Sequence, residues 1–246
     1  MIEIKHVKKS FDGKAVLRDV HLTIPKGETI VIIGRSGCGK TVLLKSIIGL
    51  ITPDGGEILV NGKEITTMDR EDLFQIRKKF GMLFQGAALF DSMTVEENIG
   101  LALWEHTDLS DDEIRRKVRE KLEVVGLYNV EQKKPAELSG GMKKRVGLAR
   151  ALIMDPEFVL YDEPTTGLDP IMADAIITLI VETSRKLDIT SIAVTHDLVS
   201  ASKIGDRIAM LDDGRIIFTG TPKELKSTKD PVVKQFVEGK ADSTSL

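Results

Sequence analysis

Gly34-Arg35-Ser36-Gly37-Cys38-Gly39-Lys40-Thr41 is the first segment of this chain whose residue types and spacing could do chemistry. It has the pattern of a glycine-rich loop that cradles nucleotide phosphates. Glycines at 34, 37 and 39 let backbone N–H groups converge on phosphate oxygens, with Ser36 and Cys38 between them. Lys40 would reach the β- and γ-phosphates of ATP, and Thr41 would supply a hydroxyl to Mg²⁺. Cys38 occupies a variable position and reads as a small filler, so a bulky group on its thiol should block nucleotide entry.

A second set of groups lies downstream. Phe158-Val159-Leu160-Tyr161-Asp162-Glu163 is an apolar strand ending in two carboxylates, and carboxyl ends of parallel strands are where α/β sheets bind ligands. Asp162 suits the metal-orienting role in phosphate-loop ATPases, and Glu163 could polarise an attacking water. His196 ends another short apolar strand and shares this strand-end edge with Glu163, which favours a γ-phosphate contact over a local structural role. Asp169 precedes Pro170 and fits the N-cap of a helix through Lys186. Capping is compatible with a contact across a dimer.

Leu138-Ser139-Gly140-Gly141-Met142 opens a further helix with small residues, as a second phosphate-binding surface would. One nucleotide needs one phosphate loop. The second surface has work to do only if it faces the nucleotide of another copy. The pattern reads as an ATPase whose active sites form between two chains.

These groups need a scaffold of strands ending on one edge. Ile2–Val7 and Val16–Ile24 read as antiparallel strands turning through Asp12-Gly13, and Thr29–Ile33 as a buried strand feeding the phosphate loop and the helix Lys40–Ile48. Further strands are expected at Glu57–Val60, Phe80–Phe84, Phe158–Tyr161, Ser191–Val194 and Arg207–Leu211, with a charged helix at Asp69–Lys79. Alternating strands and helices indicate an α/β fold, a phosphate-loop NTPase core with a mostly parallel sheet and an antiparallel β subdomain. From Thr94 to about Asp155 helix follows helix, which predicts an inserted α-helical lobe. The expected organisation is one domain over 1–239, with core segments 1–87 and 157–239, a lobe at 88–156 and a flexible tail at 240–246.

Apolar residues make up 41% of the 246, enough for a packed core. The net charge of −3, from 35 basic and 38 acidic residues, argues against nucleic acid as the main ligand. The single cysteine excludes an internal disulfide. No apolar run approaches the ~18 residues that span a bilayer, so any membrane link is expected to go through a partner.

The phosphate loop, Leu138–Met142, the Asp162-Glu163 pair, Asp169 and His196, in this order, resemble the ATP-binding cassette (ABC) ATPases of membrane transporters. The resemblance spans essentially 1–238. It implies that Phe11, otherwise readable as ordinary packing, stacks on adenine, and that Gln85 contacts Mg²⁺ and the attacking water while reporting nucleotide state to a partner. It also implies that Ser139 and Gly141 touch the γ-phosphate held by the opposite subunit, with Gly140 and Met142 in the same turn. Asp162, Thr41 and Gln85 would hold Mg²⁺.

The usual signature of that family ends in glutamine, whereas this one ends in Met142. Together with Met82–Phe90, Trp104–Leu109 and Asp230–Gly239, this resembles the phospholipid-trafficking subgroup that includes toluene-tolerance and Mce-type importers. The partners it implies are a second copy, an integral membrane permease and an Mce-domain lipid-binding protein, on the cytoplasmic face of the inner membrane. Another importer class, or a soluble cofactor-assembly ATPase, would carry the same motifs.

Overall fold

The computed structural model describes residues 1–240; residues 241–246 of the expected tail lie outside them. The elements run β1 (Ile2–Phe11), β2 (Lys14–Ile24), β3 (Thr29–Ile33), α1 (Lys40–Ile47), β4 (Gly55–Val60), β5 (Lys63–Glu64), α2 (Arg70–Arg77) and β6 (Phe80–Leu83). Then follow α3 (Val95–His106), α4 (Asp111–Val124), a 3₁₀ turn (Pro135–Glu137), α5 (Gly140–Leu152), β7 (Phe158–Asp162) and α6 (Pro170–Lys186). The chain closes with β8 (Thr190–Thr195), α7 (Leu198–Ile204), β9 (Arg207–Asp212), β10 (Arg215–Gly220), α8 (Pro222–Lys226) and α9 (Pro231–Val237).

Two compact units emerge, Met1–Leu73 with Ile192 onward, and Phe74–Ser191. In the first, neighbouring strands follow the order β5-β4-β1-β2-β10-β9-β3. β1 pairs antiparallel with β2 and β4, and β4 with β5, which is the expected antiparallel part. Asp12 and Gly13, at φ 49° and 79°, form the two-residue turn that joins β1 to β2, a geometry matched to strand twist. β3 runs parallel to β9, and β10 adds an antiparallel partner to β9, so the sheet is mixed. All five residues of β3 are buried, as the unbroken apolar run requires.

In the second unit β6 and β7 are parallel, with Phe80 and Phe158 stacked 4.8 Å apart. Here α3, α5 and α6 are started by the side chains that precede them. Thr94 and Glu97 form a reciprocal capping box on α3, at 3.2 and 2.7 Å, satisfying N–H groups that have no intrahelical partner. Ile114, Val118 and Leu122 repeat every fourth residue and bury one face of α4. Asn98, fully buried on α3, accepts from the Phe90 N–H at 2.7 Å and donates to the carbonyls of Phe90, Met93 and Thr94. One side chain thus satisfies the backbone of the turn that leads from the Gln85 segment into the helices, including groups that would be costly left unpaired. Among the described residues no helix is long and apolar enough to cross a membrane.

Candidate functional site

In the first unit the phosphate loop joins β3 to α1. A Cβ on Gly34 would lie 2.3 Å from the Leu211 carbonyl oxygen, so only glycine lets the loop pass β9 this closely. Arg35, Ser36 and Gly37 are exposed, while Gly39 and Lys40 are buried. The Lys40 ammonium donates to the carbonyls of Gly34 and Arg35, at 2.8 and 3.1 Å, so the loop is wrapped about a positive charge at the head of a helix. Glycine backbone, buried ammonium and helix N-terminus together fit a phosphate group. Thr41 follows on the first turn of α1 and is partly exposed.

Phe11, at the end of β1, is 42% exposed, which removes the reading of ordinary core packing. Lys9 places its ammonium over the ring, 5.4 Å from the centroid. His196 is exposed immediately after β8, whose residues are all buried. Asp197 behind it caps α7, accepting from the N–H groups of Val199 and Ser200 at 3.0 and 3.1 Å.

Within the loop the Cys38 thiol turns back toward Gly34, where a Cβ would come within 2.7 Å of its Sγ. Burial pushes the thiol pKa up, against the opposing pull of the Lys40 ammonium. The thiolate is the reactive form, so its fraction at neutral pH is reduced. Alkylation by a maleimide is expected to keep accelerating with pH above ~8.5, where an ordinary thiol levels off. The alkylated chain should fail to bind ATP. Normal binding by fully modified protein would remove Cys38 from the nucleotide's surroundings.

In the second unit, Asp162 is the buried last residue of β7. Glu163 follows with φ 48°, a left-handed backbone that non-glycine residues seldom adopt. Its Oε2 accepts from the Thr166 hydroxyl at 3.2 Å. Gln85 is exposed just beyond β6. Ser139 caps α5, its Oγ accepting from the Met142 N–H at 3.3 Å, and both Ser139 and Gly140 are exposed. Gly141 is buried, and a Cβ there would strike Met172 Cε at 2.0 Å. The contact is with the end of the Met172 side chain, which packs over the head of α5. Asp169 caps α6, accepting from the N–H groups of Ile171 and Met172 at 3.0 Å each. Asp169 itself remains exposed.

One residue of this unit escaped the sequence reading. Lys144, buried on α5, donates to the carbonyls of Gln85 and of Glu163, the latter at 3.3 Å. Burial lowers its pKa, while the charges of Asp162 and Glu163 pull the other way. The signal was present as spacing. Gly141, Lys144, Leu148 and Ala151 share one face of α5 and are all buried, and a lysine on such a face needs an internal partner.

Thr41, Asp162 and Gln85 offer hard oxygen donors of the kind Mg²⁺ takes together with phosphates. Among the described residues no group of three or more His, Cys, Asp or Glu gathers to hold a metal by protein ligands alone.

The sequence profile of ABC transporters matches residues 17–166, a span from β2 through the carboxylate pair. The chain belongs to the ABC transporter family. As an ABC cassette it binds and hydrolyses ATP. A solved dimeric ATP-binding cassette, in a post-hydrolysis state bound to ADP and Pi, superposes with a TM-score of 0.83 at 33% identity, covering 90% of this chain and 99% of that one. The cassette cbiO1 from Clostridium perfringens, part of the cbiONQ transporter complex, gives 0.85 at 32% identity over 96% and 94% of the two chains.

Among curated relatives, the intermembrane phospholipid transport system ATP-binding protein MlaF of Haemophilus influenzae is 39% identical over 242 residues, 98% of this cassette and 92% of that protein. Its Escherichia coli counterpart matches equally, over 90% of its length. The Mycobacterium leprae protein mkl, named for probable ribonucleotide transport, is 44% identical over 239 residues, 97% of this cassette and 69% of the relative.

Proposed function

We propose that this cassette powers phospholipid movement between bacterial inner and outer membranes, as the ATPase of a membrane transporter, with ATP sites shared across a homodimer. The observation that carries the lipid reading is the match to MlaF along nearly the whole length of both proteins. Met142 in place of the usual signature glutamine supports it.

Lys40 and the phosphate loop bind the nucleotide's phosphates, Phe11 stacks on adenine and His196 contacts the γ-phosphate. Glu163 orients and polarises water, and Asp162, Thr41 and Gln85 hold Mg²⁺, which neutralises phosphate charge when bound. Ser139, Gly140, Gly141 and Met142 face the nucleotide of the second copy, with Asp169 at the same dimer contact. Support for a dimer comes from the second phosphate-binding terminus and from the dimeric cassette of the same fold. The partners are an integral permease and an Mce-domain protein, and the cassette sits peripherally on the cytoplasmic face of the inner membrane. The core segments 1–87 and 157–239 carry the nucleotide chemistry and 88–156 the helical lobe.

The relationship to mkl keeps a ribonucleotide cargo as the second reading. The deciding test is reconstitution of the cassette with its co-purifying permease in phosphatidylglycerol liposomes. ATP-dependent transfer of a fluorescent phospholipid is expected, abolished by Glu163→Gln. ATP-dependent ribonucleotide uptake without lipid transfer would overturn the lipid reading. Failure to co-purify with any membrane protein would overturn the transporter reading.

A further inference from the structure

Lys144 is a lysine where the fold has every reason to place an apolar residue. It lies on the inward stripe of α5 beside Gly141 and Leu148, and only 5% of it is exposed. An ammonium taken out of water is costly unless its donors find partners. Its donors end on two main-chain oxygens, those of Gln85 and Glu163, which come from the segments after β6 and β7.

Both segments carry uncommon backbone. Glu163 is left-handed at φ 48°, and Ala87 and Ala88, just beyond Gln85, are left-handed in succession at 60° and 49°. Such conformations persist only where the surroundings hold them. Arg150, further along the same helix, donates to the carbonyls of Ala87 and Ala88 at 2.6 and 2.7 Å. α5 therefore grips the Gln85 segment with two cations and the Glu163 turn with one of them. The same helix begins at Ser139, so its head and its grip move as one body.

We infer that Lys144 is a positioning residue for ATP hydrolysis, whose ammonium sets the backbone of Gln85 and Glu163 from the helix that carries Ser139 and Gly141. This rests on the roles proposed above for Gln85 and Glu163. Lys144 itself does not reach the substrate in this role. It fixes how Glu163 presents its carboxylate and how Gln85 leaves β6, and so couples the head of α5 to both. Removing the donor while keeping the volume should therefore slow turnover and spare nucleotide affinity.

The test is steady-state ATP hydrolysis by the full chain carrying Lys144→Met or Lys144→Arg, with melting temperature measured alongside. Lys144→Met is expected to lower kcat about tenfold or more, with KM for ATP within about twofold of wild type. Lys144→Arg, which restores a cationic donor, should recover kcat to within about threefold. If Lys144→Met does not fold, Lys144→Gln, whose shorter amide cannot serve both carbonyls, must show the same kcat loss. A kcat unchanged in the folded donor-deficient variant overturns the inference. So does an Arg variant as slow as the Met variant, since a purely structural role is all that would remain. Glu163→Gln assayed in parallel separates the two levels: wild-type turnover there sinks the role of Glu163, whereas loss there with unaffected Lys144→Met sinks only the inference about Lys144.

Discussion

Glu163→Gln is expected to lower ATP turnover by about 10²–10⁴-fold, the range typical of losing a general base, while nucleotide binding is retained. The substitution keeps size and hydrogen-bonding shape and removes only the negative charge. Glu163 stands on a left-handed turn directly after buried Asp162, with Thr166 donating to its carboxylate. Glutamine can accept the same hydrogen bond through its amide oxygen, so the turn should survive. Equilibrium ATP binding and single-turnover hydrolysis would separate the two effects. Binding within a few-fold of wild type, with the chemical step nearly absent and a nucleotide-bound dimer accumulating, is the expected result. Near wild-type turnover would remove Glu163 from its role.

Ser139→Arg is expected to abolish hydrolysis, by about a hundredfold or more on the scale of losing a transition-state donor, without weakening ATP binding by a single chain. Ser139 is the exposed cap of α5, holding the Met142 N–H at 3.3 Å. Losing a cap costs a helix only ~1 kcal/mol, so the fold should tolerate the change. A long side chain at the head of the helix would instead keep an opposing nucleotide away from its N–H groups. The phosphate loop is untouched, so a chain in isolation should bind ATP as before. The companion measurement is wild-type specific activity against protein concentration. It should rise as chains associate; turnover that is independent of concentration and indifferent to Ser139→Arg would defeat the shared-site reading.

Much of the scaffold was legible because each core strand is a short unbroken apolar run. Thr29–Ile33 is the observed β3 to the residue, and Phe158–Tyr161 is β7 short by the aspartate that ends it. The helix expected at Asp69–Lys79 contracts to Arg70–Arg77, with Asp69 outside it accepting the Asp72 N–H at 2.9 Å. β10 was not anticipated. Its alternately exposed residues, Arg215–Gly220, form a strand by pairing with β9 across the reversal at Asp213-Gly214, and that partnership is not a local property of the sequence. The helical stretch from Val95 to Leu152 falls in one compact unit with β6 and β7, where Arg150 and Lys144 bind main-chain oxygens beyond those strands.

What the sequence determined by itself is the set of chemical groups: glycines in the loop after β3, a lysine and a threonine at a helix head, two carboxylates at a strand end, and a second helix opened by small residues. Those features are local, set by residue type and spacing, and so they can be read in one dimension. Only the tertiary structure decided which ordinary-looking residue meets the main chain beside those groups. Lys144 reads as one more charge in Met142-Lys143-Lys144-Arg145 until the fold buries it between two carbonyl oxygens from segments far apart in sequence. Desolvation and hydrogen bonding belong to the packed state, where a buried ammonium must find its acceptors.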